Sequence, residues 1–159
     1  MPVALYPGTF DPITYGHIDI AVRASKIFKK VIAVVADNPH KNTLFSVKER
    51  LEMVREAVSD VPQLEVIAYS GLIANCLKEC DATVMIRGMR ALSDFDYEFQ
   101  MAFTNRQLNE KAETVFLMPS AKYIYLNSTM VKEIAKLGGD VSAFVPPVVL
   151  QRLAEKAKR

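Results

Sequence analysis

The chain has 159 residues, of which 50% are hydrophobic and 24% are charged, the size of one domain with a buried core. Its formal net charge of +2 and scattered basic residues argue against nucleic acid as a partner. The longest aliphatic run, residues 31–36, is too short for a membrane span, and the first residues lack a secretory signal. Cys76 and Cys80 are interpreted as reduced thiols. We therefore expect a single cytoplasmic domain over residues 1–159, without a membrane partner.

Five apolar runs separated by helical patterns organise the chain. The runs are predicted strands at residues 3–5, 31–36, 64–68, 83–86 and 114–118. Helices are predicted at residues 18–28, 46–58, around 76–80, at 93–108 and 128–137, and from about 147 onward. The second helix is expected to start with a capping box formed by Ser46 and Glu49. Because the strands alternate with helices, the sequence predicts an α/β protein with a Rossmann-like, doubly wound, five-stranded parallel sheet.

The loop between the first strand and the first helix has the composition of an anion site. Backbone N–H groups and the positive end of a helix dipole point at one place in such a loop, which is how many α/β proteins bind phosphate. Gly8 and Gly16 allow the backbone to approach a ligand closely. Thr9 offers a hydroxyl group, and His17 lies on the first helical turn. The alternative, an ordinary turn with a surface histidine, is disfavoured because a Thr-x-Gly-His pattern opens the helix.

Polar residues follow every predicted strand. They are Thr9 and His17, then Lys41, then residues 71–73, 87–90 and 123–129. Ligands of open α/β sheets bind in the crevice outside the carboxyl ends of the strands. The sequence therefore predicts that these separate segments meet at one crevice.

The predicted crevice would collect several groups that can carry positive charge. They are His17, Lys41, Arg87 and Arg90. Without a Ser/His/Asp triad or a cysteine nucleophile nearby, they suit a ligand with several phosphates better than acyl transfer. The sequence also lacks a Walker A loop and a G-x-G-x-x-G fingerprint, which disfavours a P-loop kinase and a nicotinamide dehydrogenase.

Three motifs give the chain a family resemblance that runs from about residue 5 to about residue 144. They are Gly8-Thr9-Phe10-Asp11-Pro12 followed by Thr14-x-Gly16-His17, then Arg87-Gly88-Met89-Arg90, then Asn127-Ser128-Thr129. The first resembles the loop of the T/H-x-G-H nucleotidyltransferases, and together they are similar to the motifs of the phosphopantetheine adenylyltransferases. The chain departs from that family at Tyr15, where Asn is common, and at residues 126–129, where Ile-Ser-Ser-Ser/Thr is usual.

The resemblance implies that the adenylyl group of ATP is transferred to 4'-phosphopantetheine. It implies that phosphopantetheine is contacted by Thr9, Lys41, Ile73 and Arg87. It implies that ATP is contacted by Thr9, Phe10, His17, Gly88, Met89, Arg90, Glu98, Tyr123, Ile124, Tyr125, Leu126, Asn127, Ser128 and Thr129. Simpler interpretations stay open for four of these residues: Ser128 and Thr129 as helix caps, Glu98 as a solvated residue, and Ile73 as core.

In nucleotidyl transfer, a phosphate oxygen attacks the α-phosphorus in line and pyrophosphate leaves, so the protein mainly positions and neutralises charge. We expect no covalent enzyme intermediate. Four residues are candidates for catalysis. We assign His17 to the α-phosphate and Thr9 to the orientation of the attacking phosphate. We expect Lys41 to bridge the incoming phosphate and the reacting phosphorus, and Arg90 to hold the β- and γ-phosphates.

Further partners follow from the resemblance. It implies Mg²⁺, which we expect phosphates and water to hold, because the nearest acid, Asp11, is expected only to shape the turn. Coenzyme A is a hypothetical inhibitor, since it shares the pantetheine arm with the product. The alternatives are a nicotinamide-nucleotide adenylyltransferase, a cytidylyltransferase for small phospho-alcohols and a catalytically silent nucleotide-binding module. A class I aminoacyl-tRNA synthetase is disfavoured by the short chain and by the absence of a lysine-rich second motif.

The helix predicted at residues 93–108 is apolar on two sides. One side carries Phe95, Phe99, Ala102 and Phe103, and the other carries Tyr97, Met101 and Leu108. Such a helix is either enclosed within its own fold or shared with another chain, and a small α/β domain favours sharing. We therefore expect a homo-oligomer, and the resemblance implies a hexamer.

Overall fold

A computed structural model of the protein describes residues 1–158. Its strands are β1 (Val3–Gly8), β2 (Lys30–Ala36), β3 (Leu64–Tyr69), β4 (Val84–Gly88) and β5 (Glu113–Leu117). They form one sheet in the order β3-β2-β1-β4-β5, and every neighbouring pair is parallel. The five-stranded parallel sheet predicted from the sequence is confirmed.

Helices connect and cover the strands. They are α1 (Tyr15–Ser25), α2 (Val47–Ala57), α3 (Ile73–Glu79), α4 (Leu92–Leu108), α5 (Ser128–Lys136) and α6 (Pro147–Ala157). The capping box of α2 is confirmed, because the Ser46 backbone N–H donates to the Glu49 carboxylate at 2.8 Å and the Ser46 hydroxyl accepts from the Glu49 N–H at 3.2 Å. None of the helices among residues 1–158 combines the length and the apolar composition that a membrane span requires.

Two hydrophobic layers cover the two faces of the sheet, because side chains alternate along each strand. On one face, β2 residues Ala33 and Val35 belong to a layer that α1, α2, α5 and α6 complete. On the other face, Leu5 and Val34 belong to a layer that includes Leu77 of α3. Helices on both faces make the sheet doubly wound, as the sequence predicts.

The predicted boundaries differ most from the observed ones at the first strand and the first helix. β1 continues beyond residue 5 as far as Gly8, because it pairs with β2 along its full length. α1 begins three residues earlier than expected, at Tyr15 instead of 18, and ends at Ser25. The turn that follows carries Phe28 into the core, where it is 6% exposed. Phe28 is therefore apolar because it is buried in the core, and not because it belongs to the helix.

The strand order reverses between β1 and β4, and the two strands separate there. They pair only at Ala4 with Val84 and at Leu5 with Met85. Pro7 follows in β1 and has no N–H to offer a neighbour. The separation opens a crevice at the carboxyl ends of the strands, as expected at a topological switch point.

α4 differs from the other helices because every residue that it buries is polar. Only Glu98 and Asn105 are buried within it, whereas Phe95, Phe99 and Phe103 are 45%, 48% and 54% exposed. The rings of these three residues, which we call the aromatic ridge, contact one another in sequence, with centroids 5.4 and 4.9 Å apart. The other predicted apolar side lines the crevice through Tyr97, Met101 and Leu108. The two apolar sides of this helix thus have different surroundings.

Candidate active site

A crevice of about 1100 Å³ opens at the carboxyl ends of the strands. It is lined by most of the predicted site residues: Thr9, Phe10, His17, Lys41, Ile73, Arg87, Gly88, Arg90, Glu98, Tyr123, Leu126, Asn127, Ser128 and Thr129. Met89, Ile124 and Tyr125 are not among the lining residues, and Tyr125 is 88% exposed. The fold therefore brings His17 at the start of α1, Lys41 in the loop after β2 and Arg90 in the loop after β4 to one cavity.

The start of α1 fixes the position of His17. Thr14 is the N-cap residue, and its hydroxyl accepts from the backbone N–H of His17 at 3.4 Å. In return, Nδ1 of His17 accepts from the backbone N–H of Thr14 at 3.0 Å. These reciprocal bonds are a capping box in which histidine replaces the usual Glu or Gln. Because a backbone nitrogen only donates, Nδ1 carries no proton, and the neutral ring carries its proton on Nε2.

The surroundings of His17 keep its ring neutral. Loss of hydration on burial and the positive charges of Arg90 and Arg87 lower the pKa of His17 to about 4. Part of the residue's surface stays open to the crevice although protein surrounds the ring. At neutral pH, His17 is therefore a neutral hydrogen-bond donor through Nε2, and not a cation.

Phe10 supports this histidine. Its ring is 2% exposed and lies edge-on to the His17 ring, with centroids 5.1 Å apart. Phe10 has a φ of 49°, in the left-handed region that bulky residues rarely adopt. A Cβ atom on Gly8 would lie 2.9 Å from the Phe10 ring. The packing of Phe10 thus explains why position 8 requires glycine.

The loop after β2 carries Lys41 to the loop that joins β1 to α1. The Lys41 Nζ donates to the Thr9 hydroxyl at 3.0 Å, and Lys41 is exposed. The two residues come from loops that follow neighbouring strands. Two of the four predicted catalytic residues are therefore in direct contact.

Asp11 joins the same two loops from inside the protein. Its carboxylate is 4% exposed and accepts from the backbone N–H groups of Leu44 and Phe45, both at 2.9 Å. It also accepts from the Nζ of Lys132 at 2.7 Å. Through these contacts, Asp11 anchors the two loops and shapes the turn.

Arg87 and Glu98 form the strongest charge pair of the crevice. Nε and Nη2 of Arg87 donate to the two carboxylate oxygens of Glu98 at 2.9 and 2.7 Å. Nη1 of Arg87 spans the gap between β4 and β1 and donates to the carbonyl oxygen of Pro7 at 2.9 Å. The interpretation of Glu98 as a solvated residue is wrong, since Glu98 is 7% exposed.

Arg90 is held more loosely. Its Nη1 donates to the carbonyl oxygen of Leu126 at 3.2 Å, and its Nε lies 3.7 Å from the carboxylate of Asp94. The side chain keeps 41% of its surface exposed. It can therefore still reach a ligand in the crevice.

The start of α5 also lines the crevice. Asn127 is the N-cap residue, and its Oδ1 accepts from the backbone N–H of Met130 at 2.8 Å. Ser128 donates to the carbonyl oxygen of Pro12 at 2.7 Å. The cap is thus Asn127, and neither Ser128 nor Thr129 serves as one. Ile73 combines the two interpretations open to it, because it packs on the core and also lines the crevice.

Sequence reasoning missed two charged residues that build the site, Arg50 and Lys132. Arg50 is 2% exposed, and Lys132 lines the crevice beside Asp11. A signal for Arg50 existed, because position 50 lies on the apolar stripe of α2 that Val47 and Val54 define. A charged residue on a buried stripe indicates a buried partner.

The donor set does not form a site for a resident metal. Residues 1–158 contain no group of three His, Cys, Asp or Glu side chains placed to hold a metal ion. Three of the four acids that line the crevice, Asp11, Glu98 and Asp94, are paired with Lys132, Arg87 and Arg90. The fourth, Asp37, forms no ion pair among the described residues and by itself does not make a metal site.

The cytidylyltransferase-like family model matches residues 5–134, which places the chain among the nucleotidyltransferases. A phosphopantetheine adenylyltransferase from Caldanaerobacter subterraneus subsp. tengcongensis is 52% identical over 159 residues, which are 100% of this chain and 99% of the relative. One from Dictyoglomus turgidum is 51% identical over 155 residues, 98% of this chain and 97% of the relative. Within its class, the chain belongs to the phosphopantetheine adenylyltransferase family.

A solved structure supports the fold independently. A provisionally named nicotinate-nucleotide adenylyltransferase from Vibrio parahaemolyticus superposes with a TM-score of 0.69, covering 99% of this chain and 94% of that one. The sequence identity is 18%. This likeness concerns the fold alone.

Proposed function

We propose that the protein transfers the adenylyl group of ATP to 4'-phosphopantetheine, forming dephospho-coenzyme A and pyrophosphate in coenzyme A biosynthesis. The observation that carries the proposal is the single crevice onto which His17, Lys41, Arg87 and Arg90 open. The names of the two relatives supply the identity of the acceptor. A cavity with several convergent cations suits two substrates that together carry four phosphoryl groups.

In the proposed reaction, an oxygen of the acceptor phosphate forms a bond to the α-phosphorus of ATP. The bond from this phosphorus to the oxygen that bridges to the β-phosphate breaks, and pyrophosphate leaves with the electron pair. No bond to the protein forms. The attack is in line, so the protein's contribution is orientation and charge stabilisation.

His17 is proposed to donate from Nε2 to the α-phosphate, whose non-bridging oxygens gain charge in the transition state. The backbone N–H of Thr14 occupies Nδ1 at 3.0 Å, which fixes the tautomer that this donation requires. A neutral donor leaves the reacting phosphate fully charged before attack and adds no competing proton transfer. Preorganised donors of this type typically lower the barrier by about 3 kcal/mol.

Thr9 and Lys41 are proposed to hold the acceptor phosphate, because their mutual contact of 3.0 Å places a hydroxyl and an ammonium group side by side. The resemblance assigns Arg87 to the same substrate, and the pair with Glu98 would orient its guanidinium. Arg90 and the start of α5 are proposed to hold the β- and γ-phosphates, since a helix N-terminus favours anions. Mg²⁺ is proposed to enter with the triphosphate, coordinated by phosphate oxygens and water.

Incubation with ATP, Mg²⁺ and phosphopantetheine, followed by mass spectrometry, tests the proposal. We expect dephospho-coenzyme A and pyrophosphate in equal amounts. Nicotinate mononucleotide with ATP and phosphocholine with CTP, offered in parallel, represent the alternative substrates. Product from one of these but not from phosphopantetheine would refute the proposed substrate, and ATP binding without pyrophosphate release would indicate a silent nucleotide-binding protein.

Two further properties are proposed. Coenzyme A is proposed to inhibit by occupying the crevice, because it carries the same pantetheine arm as the product. Competitive inhibition against phosphopantetheine would support this, and a non-competitive pattern would reject it.

The protein is also proposed to be a homo-oligomer, because the aromatic ridge is uncovered within the chain. The family resemblance implies that the oligomer is a hexamer.

A further inference from the structure

Arg50 is a buried cation that touches no acid among the described residues. It lies in α2, is 2% exposed, and takes part in none of the ion pairs within residues 1–158. Its guanidinium instead donates to three backbone carbonyl oxygens. Nη1 donates to Thr9 at 2.7 Å and to Ala36 at 2.9 Å, and Nε donates to Phe45 at 3.2 Å.

The three carbonyl groups belong to the segments that position the acceptor side of the crevice. Thr9 is in the loop that joins β1 to α1, Ala36 ends β2, and Phe45 directly precedes the N-cap of α2. Ala36 and Phe45 therefore bracket the loop that carries Lys41. One guanidinium ties both ends of this loop to the residue whose hydroxyl accepts from Lys41.

A buried arginine without a counter-charge is costly, and an apolar residue at this place in the stripe of α2 would avoid that cost. The planar guanidinium, however, presents its donors to three carbonyl groups in a fixed geometry, which the compact ammonium of lysine on its flexible stem does not. Its uncompensated charge also lies next to a crevice proposed to hold polyanions. Both properties favour a role of Arg50 in the active site over a role in core packing.

We propose that Arg50 is a positioning residue of the adenylyl transfer: it sets the contact between Thr9 and Lys41 and thereby the binding of the acceptor phosphate. The proposal rests on the proposed function for its substrate. It assigns no contact with substrate to Arg50 itself.

The Arg50→Lys variant tests the proposal, with Arg55→Lys as the matched control. Arg55 lies on the same helix and donates to the carbonyl oxygen of Val66 at 3.4 Å, and it does not line the crevice. We expect Arg50→Lys to raise the KM for phosphopantetheine about tenfold, the loss expected for a charged hydrogen bond. We expect the KM for ATP to change less than about twofold in both variants. Equal changes in the two KM values would overturn the proposal, because they would indicate general loosening of the crevice.

Hydrogen exchange supplies a readout that does not depend on catalysis. We expect Arg50→Lys to speed exchange in residues 8–12 and 37–45 about tenfold, with α6 unchanged, and Arg55→Lys to leave all three segments unchanged. Unchanged exchange in residues 37–45 overturns the role of Arg50 even if the enzyme is active. If the unsubstituted protein makes no dephospho-coenzyme A, the proposed function fails, and the exchange data still decide whether Arg50 holds the two loops.

Discussion

The two sides of the crevice are built differently. On the side of α1 and α2, the loops are tied by side chains to backbone groups: Asp11 to two N–H groups, Arg50 to three carbonyl groups, and Thr14 and His17 to each other. On the other side of the crevice, the helix α4 itself buries only Glu98 and Asn105. The first side is preorganised by the chain itself, as electrostatic catalysis requires. The second side depends on a few contacts and leaves much of its apolar surface uncovered.

The largest expected effect concerns the preorganised side. We expect His17→Ala and Lys41→Ala each to lower turnover at least about 10²-fold, because each removes one donor from the transition state. Steady-state kinetics measure the effect, and circular dichroism checks that both variants remain folded. Lys48→Ala is the control, since Lys48 is an exposed lysine on α2 outside the crevice. Near-normal turnover in either His17→Ala or Lys41→Ala would refute the assignment of that residue.

The next prediction concerns the one strong contact of the α4 side. We expect Glu98→Gln to raise the KM for phosphopantetheine about tenfold and to lower the free energy of unfolding by about 1–3 kcal/mol, because Arg87 loses a charged, bidentate partner. Asp96→Asn is the control, since Asp96 is exposed on the same helix. Kinetics with each substrate varied, together with urea unfolding, measure both effects. A rise in the KM for ATP alone would instead favour direct contact of Glu98 with ATP, as the family resemblance implies.

The contrast between the two sides also explains what the sequence could predict. The strands and most helices follow from local apolar periodicity, and the capping box of α2 follows from two residues three positions apart. The gathering of Thr9, His17, Lys41 and residues 87–90 follows from a topological rule for the carboxyl ends of strands. These inferences need only local pattern and strand order.

The missed features depend on contacts between residues remote in sequence. Arg50 lies 41 positions from Thr9, whose carbonyl it binds, and Lys132 lies 121 positions from Asp11. The tautomer of His17 is an exception, because it depends on a local contact with the backbone N–H of Thr14 three positions away. The lowered pKa of His17 depends on burial and on arginines that come from another strand. The sequence predicts His17 as one of four groups that can carry positive charge, whereas packing keeps its ring neutral.

A pH experiment tests the preorganised side of the crevice through the lowered pKa of His17. The pKa of His17 is lowered from 6.5 to about 4 on folding, so below pH 6.5 the unfolded chain binds a proton that the folded chain does not. This contribution to stability is complete above pH 6.5 and is lost as the pH falls from 6.5 towards 4. We expect the wild-type protein to lose about 1–2 kcal/mol more free energy of unfolding between pH 7 and pH 5 than His17→Gln does. Urea unfolding at both pH values measures the difference, and parallel losses in the two proteins would contradict the lowered pKa.

The smallest expected effect on the single chain concerns the aromatic ridge. Phe99 is 48% exposed and contacts chiefly Phe95 and Phe103 among the aromatic residues, so Phe99→Asp removes little packing from the chain. We expect its free energy of unfolding, measured where the chain is monomeric, to change by less than about 0.5 kcal/mol. If a second copy covers the ridge, however, the carboxylate is buried without a partner, and the assembly should dissociate. Size-exclusion chromatography with light scattering at micromolar concentration measures the mass of both proteins, and Lys122→Asp controls for added negative charge outside the ridge. A wild-type protein that elutes as a monomer would contradict the proposed oligomer, and an unchanged mass of Phe99→Asp would show that the subunits associate through another surface.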